Sequence, residues 1–470
     1  MQTPVTIVIL AAGLGTRMKS KQAKVLHRAG GRSLIGHVVR AALPLAPPEQ
    51  IYAVVGHQAE RVREELASTG IGFIEQTEAL GTGHAVMAGR ERLASLDGLL
   101  VVLYGDCPLL SAGTLERLIE SQAASPHAAT VITTLLDEPF GYGRVVTDAD
   151  GRIAAIVEEK AASPEQRAIR EINSGIYCFR AELLWRHLDE IGTANPAGEY
   201  YLTDIVEIFR RHGYSCGAML LEDAREVLGI NTRVDLAQVD RIFRERKTLE
   251  LMLAGVTIER PETVTVDLDV RIGTDTVVEP FARLLGQTSI GEDCRIGACS
   301  IIADSTLGDG VEVGPFTIIG TSAVEAGARI GPYARLRRDN HIGAGAEIGN
   351  YVELKKTRFG PGSKAMHLAY LGDSVIGADV NIGAGTITCN YDGIKKNPTL
   401  IGDGAFVGSN STLVAPVEIG TGSYVAAGSV ITHPVPPGSL GVARERQVVK
   451  EDWVRQRREK ARLENQDRVV

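Results

Sequence analysis

Short aliphatic runs alternate with helical spacing over the first half of this 470-residue chain, and an aliphatic–glycine pair returns at multiples of about six residues over the second. The length is too great for one compact core. These observations predict an α/β Rossmann-like domain followed by a left-handed parallel β-helix of hexapeptide repeats. The expected divisions are 1–233 for the first domain, 234–254 for a linker helix and 255–470 for the β-helix with a charged tail.

Residues 6–10, Ile51–Val55 and Leu99–Tyr104 are short runs rich in Val, Ile and Leu, and helical patterns at 34–43 and 60–67 lie between them. Strands separated by helices form a mostly parallel, doubly wound sheet, whose ligands bind beyond the carboxyl ends of the strands. The stretch 234–255 keeps helical spacing, with no proline and no glycine before its last residue, and predicts a helix.

From Ile272 onward the pairs are Ile272-Gly273, Ile290-Gly291, Ile296-Gly297, Val313-Gly314, Ile342-Gly343, Ile348-Gly349, Ile376-Gly377, Ile382-Gly383, Val407-Gly408 and Ile419-Gly420. A six-residue period is too short for helical repeats. It suits a parallel β-helix, in which one aliphatic per repeat points into a stacked core and the small neighbour turns the corner. The 52 glycines and the aromatic content of only 5% agree with a narrow prism filled by Ile, Val and Ala. The rhythm stops at Pro434-Val435-Pro436-Pro437, and the tail 444–470 is charged and partly helical in pattern.

A net charge of −8 argues against a general nucleic-acid binder. The six cysteines are scattered without a CxxC pair, which predicts free thiols in a reducing compartment. No basic leader precedes the first apolar run, and no apolar stretch approaches the ~20 residues that span a bilayer. The expectation is a soluble, cytoplasmic protein without membrane insertion.

After the first strand comes Leu10-Ala11-Ala12-Gly13-Leu14-Gly15-Thr16-Arg17-Met18, then Lys24. Small residues let backbone N–H groups approach phosphate oxygens, and the two cations can neutralise them. A GxGxxG loop would need glycine where Met18 stands, and no Walker sequence is present. The ligand expected is therefore a phosphate compound of another kind.

This stretch resembles the LAAGxGTRM signature of sugar-phosphate nucleotidyltransferases. The match extends to Gln76, Gly81-Thr82-Gly83-His84, Tyr104-Gly105-Asp106, Gly141-Tyr142-Gly143-Arg144, 157–160 (VEEK), Glu171-Ile172-Asn173 and Gly229-Ile230-Asn231. With the β-helix that follows, nearly the whole chain resembles the bacterial family of bifunctional N-acetylglucosamine-1-phosphate uridylyltransferases and glucosamine-1-phosphate acetyltransferases. That resemblance implies Mg²⁺ held by Asp106 and Asn231, with Arg17 and Lys24 as catalytic cations. It implies a UDP-N-acetylglucosamine site built from Leu10, Ala11, Ala12, Gly13, Lys24, Gln76, Gly81, Thr82, Tyr104, Gly105 and Asp106, with Gly143, Glu158, Asn173 and Asn231. The implied reaction is in-line attack by the sugar-1-phosphate oxygen on the α-phosphorus of UTP. The family usually has proline before the lysine; Ala23 stands there, and a looser loop is expected.

In the second half a polar cluster interrupts the repeat: Lys355, His367, Tyr370, Asn381 and the run Asn390-Tyr391-Asp392-Gly393-Ile394-Lys395-Lys396. A segment that departs from a regular solenoid is an expected functional insertion. His367, in 362–372 (GSKAMHLAYLG), suits proton removal from an attacking amine. The family resemblance implies that His367 is the acetyltransferase base. It implies that Arg337, Lys355, Tyr370 and Asn381 hold glucosamine-1-phosphate, and that Ala384, Asn390, Tyr391, Ser409, Ala427 and Arg444 take acetyl-CoA. It also implies a homotrimer. Arg338-Asp339 replaces an expected Pro-Gly corner and leaves the aim of Arg337 open. Two further readings stay open here: a single-activity nucleotidyltransferase whose β-helix only assembles or regulates, and a non-catalytic solenoid fused to a degenerate nucleotide-binding domain.

Overall fold

A computed structural model describes residues 3–466. Its contacts divide the chain between Lys247 and Thr248, inside the helix Arg233–Leu253.

The first unit is built on one nine-stranded sheet. Its strands are β1 (Val5–Leu10), β2 (Ile51–Val55), β3 (Gly72–Glu75), β4 (Leu99–Tyr104), β5 (Ala129–Leu135), β6 (Arg144–Thr147), β7 (Ile153–Val157), β8 (Glu171–Arg180) and β9 (Cys216–Leu221). The spatial order is β9-β5-β8-β4-β1-β2-β3, and the β6–β7 hairpin joins the sheet through β8. Pairing is parallel except around β8 and within that hairpin. Both faces of the central strands are apolar and buried, so each face needs a covering layer. Ser33 and Ser111 start two of the covering helices, each hydroxyl accepting a backbone N–H of the first turn.

Because β1, β2 and β4 run parallel, their carboxyl ends lie side by side. Ala11 N–H donates to Val54 O (2.9 Å), Gly105 N–H to Leu10 O (2.9 Å) and Gln76 N–H to Val55 O (2.8 Å). Four segments distant in sequence therefore emerge at one edge.

The second unit carries three parallel sheets of eleven, ten and nine short strands, visited in rotation by the chain. This is a three-sided parallel β-helix. Register is uniform: Ile348 pairs with Ala365, Ala365 with Ile382, Ile382 with Val407 and Val407 with Val425. The first two steps are 17 residues; the step from Ile382 to Val407 is 25, because 390–398 joins Ile387–Cys389 to Thr399–Ile401 where Asp373 alone makes the corner one coil earlier. One aliphatic core runs through the stack, from Leu251 to Val435. Hydroxyls relay between coils: Ser363 donates to Gly377 O (2.7 Å) and accepts from Val380 N–H (2.9 Å).

All six cysteines are free. The helix Trp453–Gln466 lies in the tail. Among the described residues no helix is long and apolar enough to cross a membrane.

Candidate active sites

At the carboxyl edge of the first sheet a cleft of about 510 Å³ is lined by Leu10, Ala11, Ala12, Gly13, Arg17, Lys24, Gln76, Gly81, Thr82, Tyr104, Asp106 and Asn231. A Cβ on Gly13 would meet nothing within 4 Å, so the backbone there faces open space. A Cβ on Gly105 would press on Ala11 and on Leu10 O at 3.3 Å, so Gly105 packs the loop from behind.

Charge is concentrated around Lys24. The Lys24 ammonium bonds the Asp106 carboxylate and reaches Asn231 Oδ1 at 3.3 Å. Arg17 Nη2 donates to the same amide oxygen (2.8 Å). Asp106 and Asn231 are brought together by the backbone, since Ile230 N–H donates to Asp106 O (3.0 Å). Asp235 then accepts the Asn231 N–H (2.9 Å).

Elsewhere in the cleft, Gln76 Nε2 donates to Gly81 O (3.3 Å) and lies 3.0 Å from His84 Nδ1. Both contacts use the amide nitrogen, leaving its oxygen for a ligand. Gly81 needs its φ of +109°, and a Cβ on it would stand 2.6 Å from Tyr200 O.

Gly143, Glu158 and Asn173 form a second cluster. Asn173 N–H donates to Gly143 O (2.9 Å), and a Cβ on Gly143 would stand 3.6 Å from Glu158 Oε1. Thr203 Oγ1 donates to that carboxylate (3.3 Å). Burial raises the Glu158 carboxyl pKa, with Asp204 adding to the rise and the Thr203 bond opposing it. Tyr104 lies between the two clusters, tight against Gly175. Burial, then the charges of Glu158 and Asp106, push its phenol pKa up, so it stays a neutral donor.

Ala23 is not loose. It is buried at φ −55°, ψ 138°, and its N–H donates to Gln58 Oε1 (3.1 Å).

On the β-helix the regular register makes columns of side chains. Asn350 pairs with His367, and Ala384, Ser409 and Ala427 occupy the same step of the next three coils, two residues past the core positions Ile382, Val407 and Val425. His367 therefore stands in one column with three residues expected to take acetyl-CoA. Arg444 Cδ closes the column, 4.0 Å from where a Cβ on Gly428 would stand. His367 is exposed, with Nδ1 3.0 Å from Asn350 Oδ1. An acceptor at Nδ1 leaves Nε2 as the basic nitrogen.

Round the corner, on the adjoining sheet, lie Lys355, Tyr370 and Asn390. Asp373 gathers them: Lys355 Nζ is 3.9 Å from Oδ2, and Asn390 Nδ2 donates to the same oxygen (2.5 Å) while reaching Tyr370 OH at 3.4 Å. Gly372 permits this, because a Cβ there would stand 2.5 Å from both Asn390 Nδ2 and Tyr370 OH. Arg337 is held aside, on Glu353 at 3.2 Å. The Arg338-Asp339 corner closes with Asp339 at φ +55° and its N–H on Thr321 O (2.7 Å). Asn381 lies one coil beyond Lys364, on the sheet of His367.

The inserted loop is closed on itself. Asp392 accepts from Lys395 N–H, Ile394 N–H and the Asn397 amide, each at 2.8 Å, and these bonds hold its carboxyl pKa down to about 2. Tyr391 OH donates to Gly393 O (2.6 Å), and Lys396 Nζ lies 4.2 Å from its ring centre.

Residue patterns had not indicated Asn350, Asp373, Glu353, Thr203 or the role of His84. Asn350 was within reach, one 17-residue coil before His367. Thr203 carried no such signal.

Residues 7–171 match the MobA-like NTP transferase domain family, and 269–304 and 398–433 match the bacterial transferase hexapeptide (six repeats) family. The chain is 63% identical over 462 residues to the "Bifunctional protein GlmU" of Solibacter usitatus, covering 98% of this chain and 99% of that protein. Proteins of the same name from Koribacter versatilis (52% identity; 96% and 97% covered) and Trichlorobacter lovleyi (48%; 96% and 98%) are also similar throughout.

Proposed function

This chain belongs to the family of bifunctional GlmU proteins, and from that premise we propose how its two sites divide the work. It is an enzyme of UDP-N-acetylglucosamine synthesis with nucleotidyltransferase and acyltransferase halves. The acetyltransferase is assigned to 255–470, the uridylyltransferase to 1–233 and the linker to 234–254.

In the β-helix, the amine of glucosamine-1-phosphate attacks the thioester carbonyl of acetyl-CoA. A C–N bond forms and the C–S bond breaks; the amine proton passes to His367 Nε2 and from there to the departing sulfur, so CoA leaves as its thiol. Arg337 and Lys355 suit the sugar phosphate, and Tyr370, Asn381 and Asn390 suit its hydroxyls and the acetyl group. Ala384, Ser409 and Ala427 offer a small-residue wall for the pantetheine arm, Tyr391 flanks the donor and Arg444 takes CoA phosphate. The observation that carries this reading is the column shared by His367 and the three wall residues. It disfavours a β-helix that only assembles or regulates.

In the first domain, the phosphate oxygen of N-acetylglucosamine-1-phosphate attacks the α-phosphorus of UTP. A P–O bond forms and the bond to the β-phosphate bridging oxygen breaks, releasing pyrophosphate. Arg17 and Lys24 neutralise phosphate charge, and Leu10 to Gly13, Gln76, Gly81 and Thr82 orient the nucleotide. Gly143, Glu158 and Asn173 orient the sugar, supported by Tyr104 and Gly105. The Asp106 carboxylate and Asn231 Oδ1 already converge on a cation, the Lys24 ammonium. One carboxylate and one amide oxygen fit Mg²⁺, which keeps waters and substrate phosphates as its other ligands and would supply charge neutralisation there.

The column of Tyr351 and Leu368 runs beside Asn350 and His367. With Phe316 and Tyr333 it forms an exposed apolar corner, the rings stacked at 5.0 and 5.4 Å and the four residues 46–61% exposed. A patch of that kind beside a reactive group supports a homotrimer in which a second copy covers the His367 site. Six free cysteines suit a reducing compartment and support a cytoplasmic enzyme.

The test assays wild type, Asp106→Ala and His367→Ala for both reactions, each supplied with its own substrates. Asp106→Ala is expected to lose uridylyl transfer alone, and His367→Ala to lose CoA release alone. A wild type that releases no CoA from acetyl-CoA overturns the acetyltransferase assignment.

A further inference from the structure

Lys24 has to meet phosphate charge from a fixed position, yet it sits in a 3-10 turn, Lys24–Leu26, with an irregular segment before it. Its stem is confined on one side by Gly15, where a Cβ would stand 2.6 Å from Lys24 Cβ. Within itself the segment is tied by Gln22 Nε2, which donates to Leu26 O (2.6 Å), and on the other side it is held by Gln58. Gln58 Nε2 donates to Lys21 O (2.5 Å), and Gln58 Oε1 accepts from Ala23 N–H (3.1 Å). Arg61 Nη1 donates to the same oxygen (3.0 Å), so both ends of the amide are used and its orientation is determined.

Gln58 also pays a backbone cost to stand there. It adopts φ +56°, ψ 39°, a left-handed conformation uncommon outside glycine, asparagine and aspartate. It stands just past the carboxyl end of β2, where Gly56 lies close enough to Ala12 that a Cβ would touch it at 3.0 Å. The clamp thus ties the lysine segment to the same strand edge that builds the nucleotide loop. Ala23 meanwhile has φ −55°, within reach of the value a proline ring imposes.

We propose that Gln58 is a positioning residue for uridylyl transfer: its side-chain amide clamps 21–23 and so fixes Lys24 against the phosphates. This rests on the uridylyltransferase reading, and wild-type activity tests that reading separately.

Glycine is the variant that isolates the side chain, because it accepts the left-handed backbone without strain. Gln58→Gly is expected to lower kcat for uridylyl transfer about tenfold, as a small misplacement of a catalytic group does. Its KM for N-acetylglucosamine-1-phosphate, acetyl transfer and thermal midpoint should stay near wild type. In a Lys24→Ala background the same substitution should have no further effect. Ala23→Pro, which imposes the native φ through the ring, should restore most of the activity lost in Gln58→Gly. Wild-type kcat in Gln58→Gly overturns the proposal, as do additive losses with Lys24→Ala or a lowered midpoint that accounts for the loss. No uridylyl transfer by wild type overturns the parent reading instead.

Discussion

The two candidate sites are assembled by opposite means. In the first domain, Arg17 and Asn231 share a hydrogen bond across 214 positions of sequence, and Lys24 and Asp106 meet across 82. In the β-helix, His367 meets Asn350 across 17, and Asn390 meets Asp373 across 17. A doubly wound sheet gathers loops from many strands at one edge, so its site depends on the whole topology. A solenoid brings together residues one coil apart, so each contact within its site depends on local register.

The contrast is sharpest for glycine, and the largest effect is expected there. A Cβ on Gly349 would stand 2.0 Å from Met366 O, in the backbone of the next coil, whereas one on Gly13 would meet nothing. Gly349→Val should cost the β-helix more than about 3 kcal/mol and with it acetyl transfer. Gly13→Ala should leave stability within about 0.5 kcal/mol while raising the KM for UTP. Thermal unfolding and the two assays check both. A stable Gly349→Val would break the view that each coil depends on its neighbour's backbone.

A smaller effect is expected one coil from the base. Asn350→Ala removes the acceptor from His367 Nδ1 and should lower acetyl-transfer kcat about tenfold, a fraction of what a general base supplies. The pH profile should change with it, because the tautomer is no longer held. An unchanged kcat and profile would show that register alone positions the ring.

The smallest effect is a pH dependence in the first domain. Burial raises the Glu158 pKa, so the carboxyl takes up a proton at a higher pH than the ordinary ~4.3. On acidification, the KM for N-acetylglucosamine-1-phosphate should therefore rise before an exposed carboxylate would titrate, and Glu158→Gln should remove that limb. The sign for stability is opposite. A raised folded-state pKa stabilises the fold below the unfolded value and costs stability as pH rises through the folded one. Glu158→Gln should accordingly raise the thermal midpoint at neutral pH. A midpoint lower than wild type would mean that the Thr203 bond outweighs the burial.

Some elements were legible because their physics is local. Strands β1, β2 and β4 follow from aliphatic runs, and the β-helix follows from Ile-Gly and Val-Gly pairs whose spacing is the length of a side of the prism. The helix Arg233–Leu253 was visible in its spacing, but the division of contacts at Lys247 inside it was not, because helical pattern does not say which body a turn packs against. The phosphate loop was readable from its small residues and cations. Its clamp was not, since nothing in the order of residues 21–24 points to Gln58.

By itself, then, the sequence determined the two architectures, the family and the chemical kinds of group available at each site. Only the tertiary structure decided which groups face one another: that Lys24 and Arg17 both meet Asn231, that Asp373 gathers Lys355 and Asn390, and that Arg337 rests on Glu353. The physical reason is that periodicity and composition are set by burial along a chain, whereas hydrogen bonds and ion pairs are set by distances between chain segments, which only the closed fold defines.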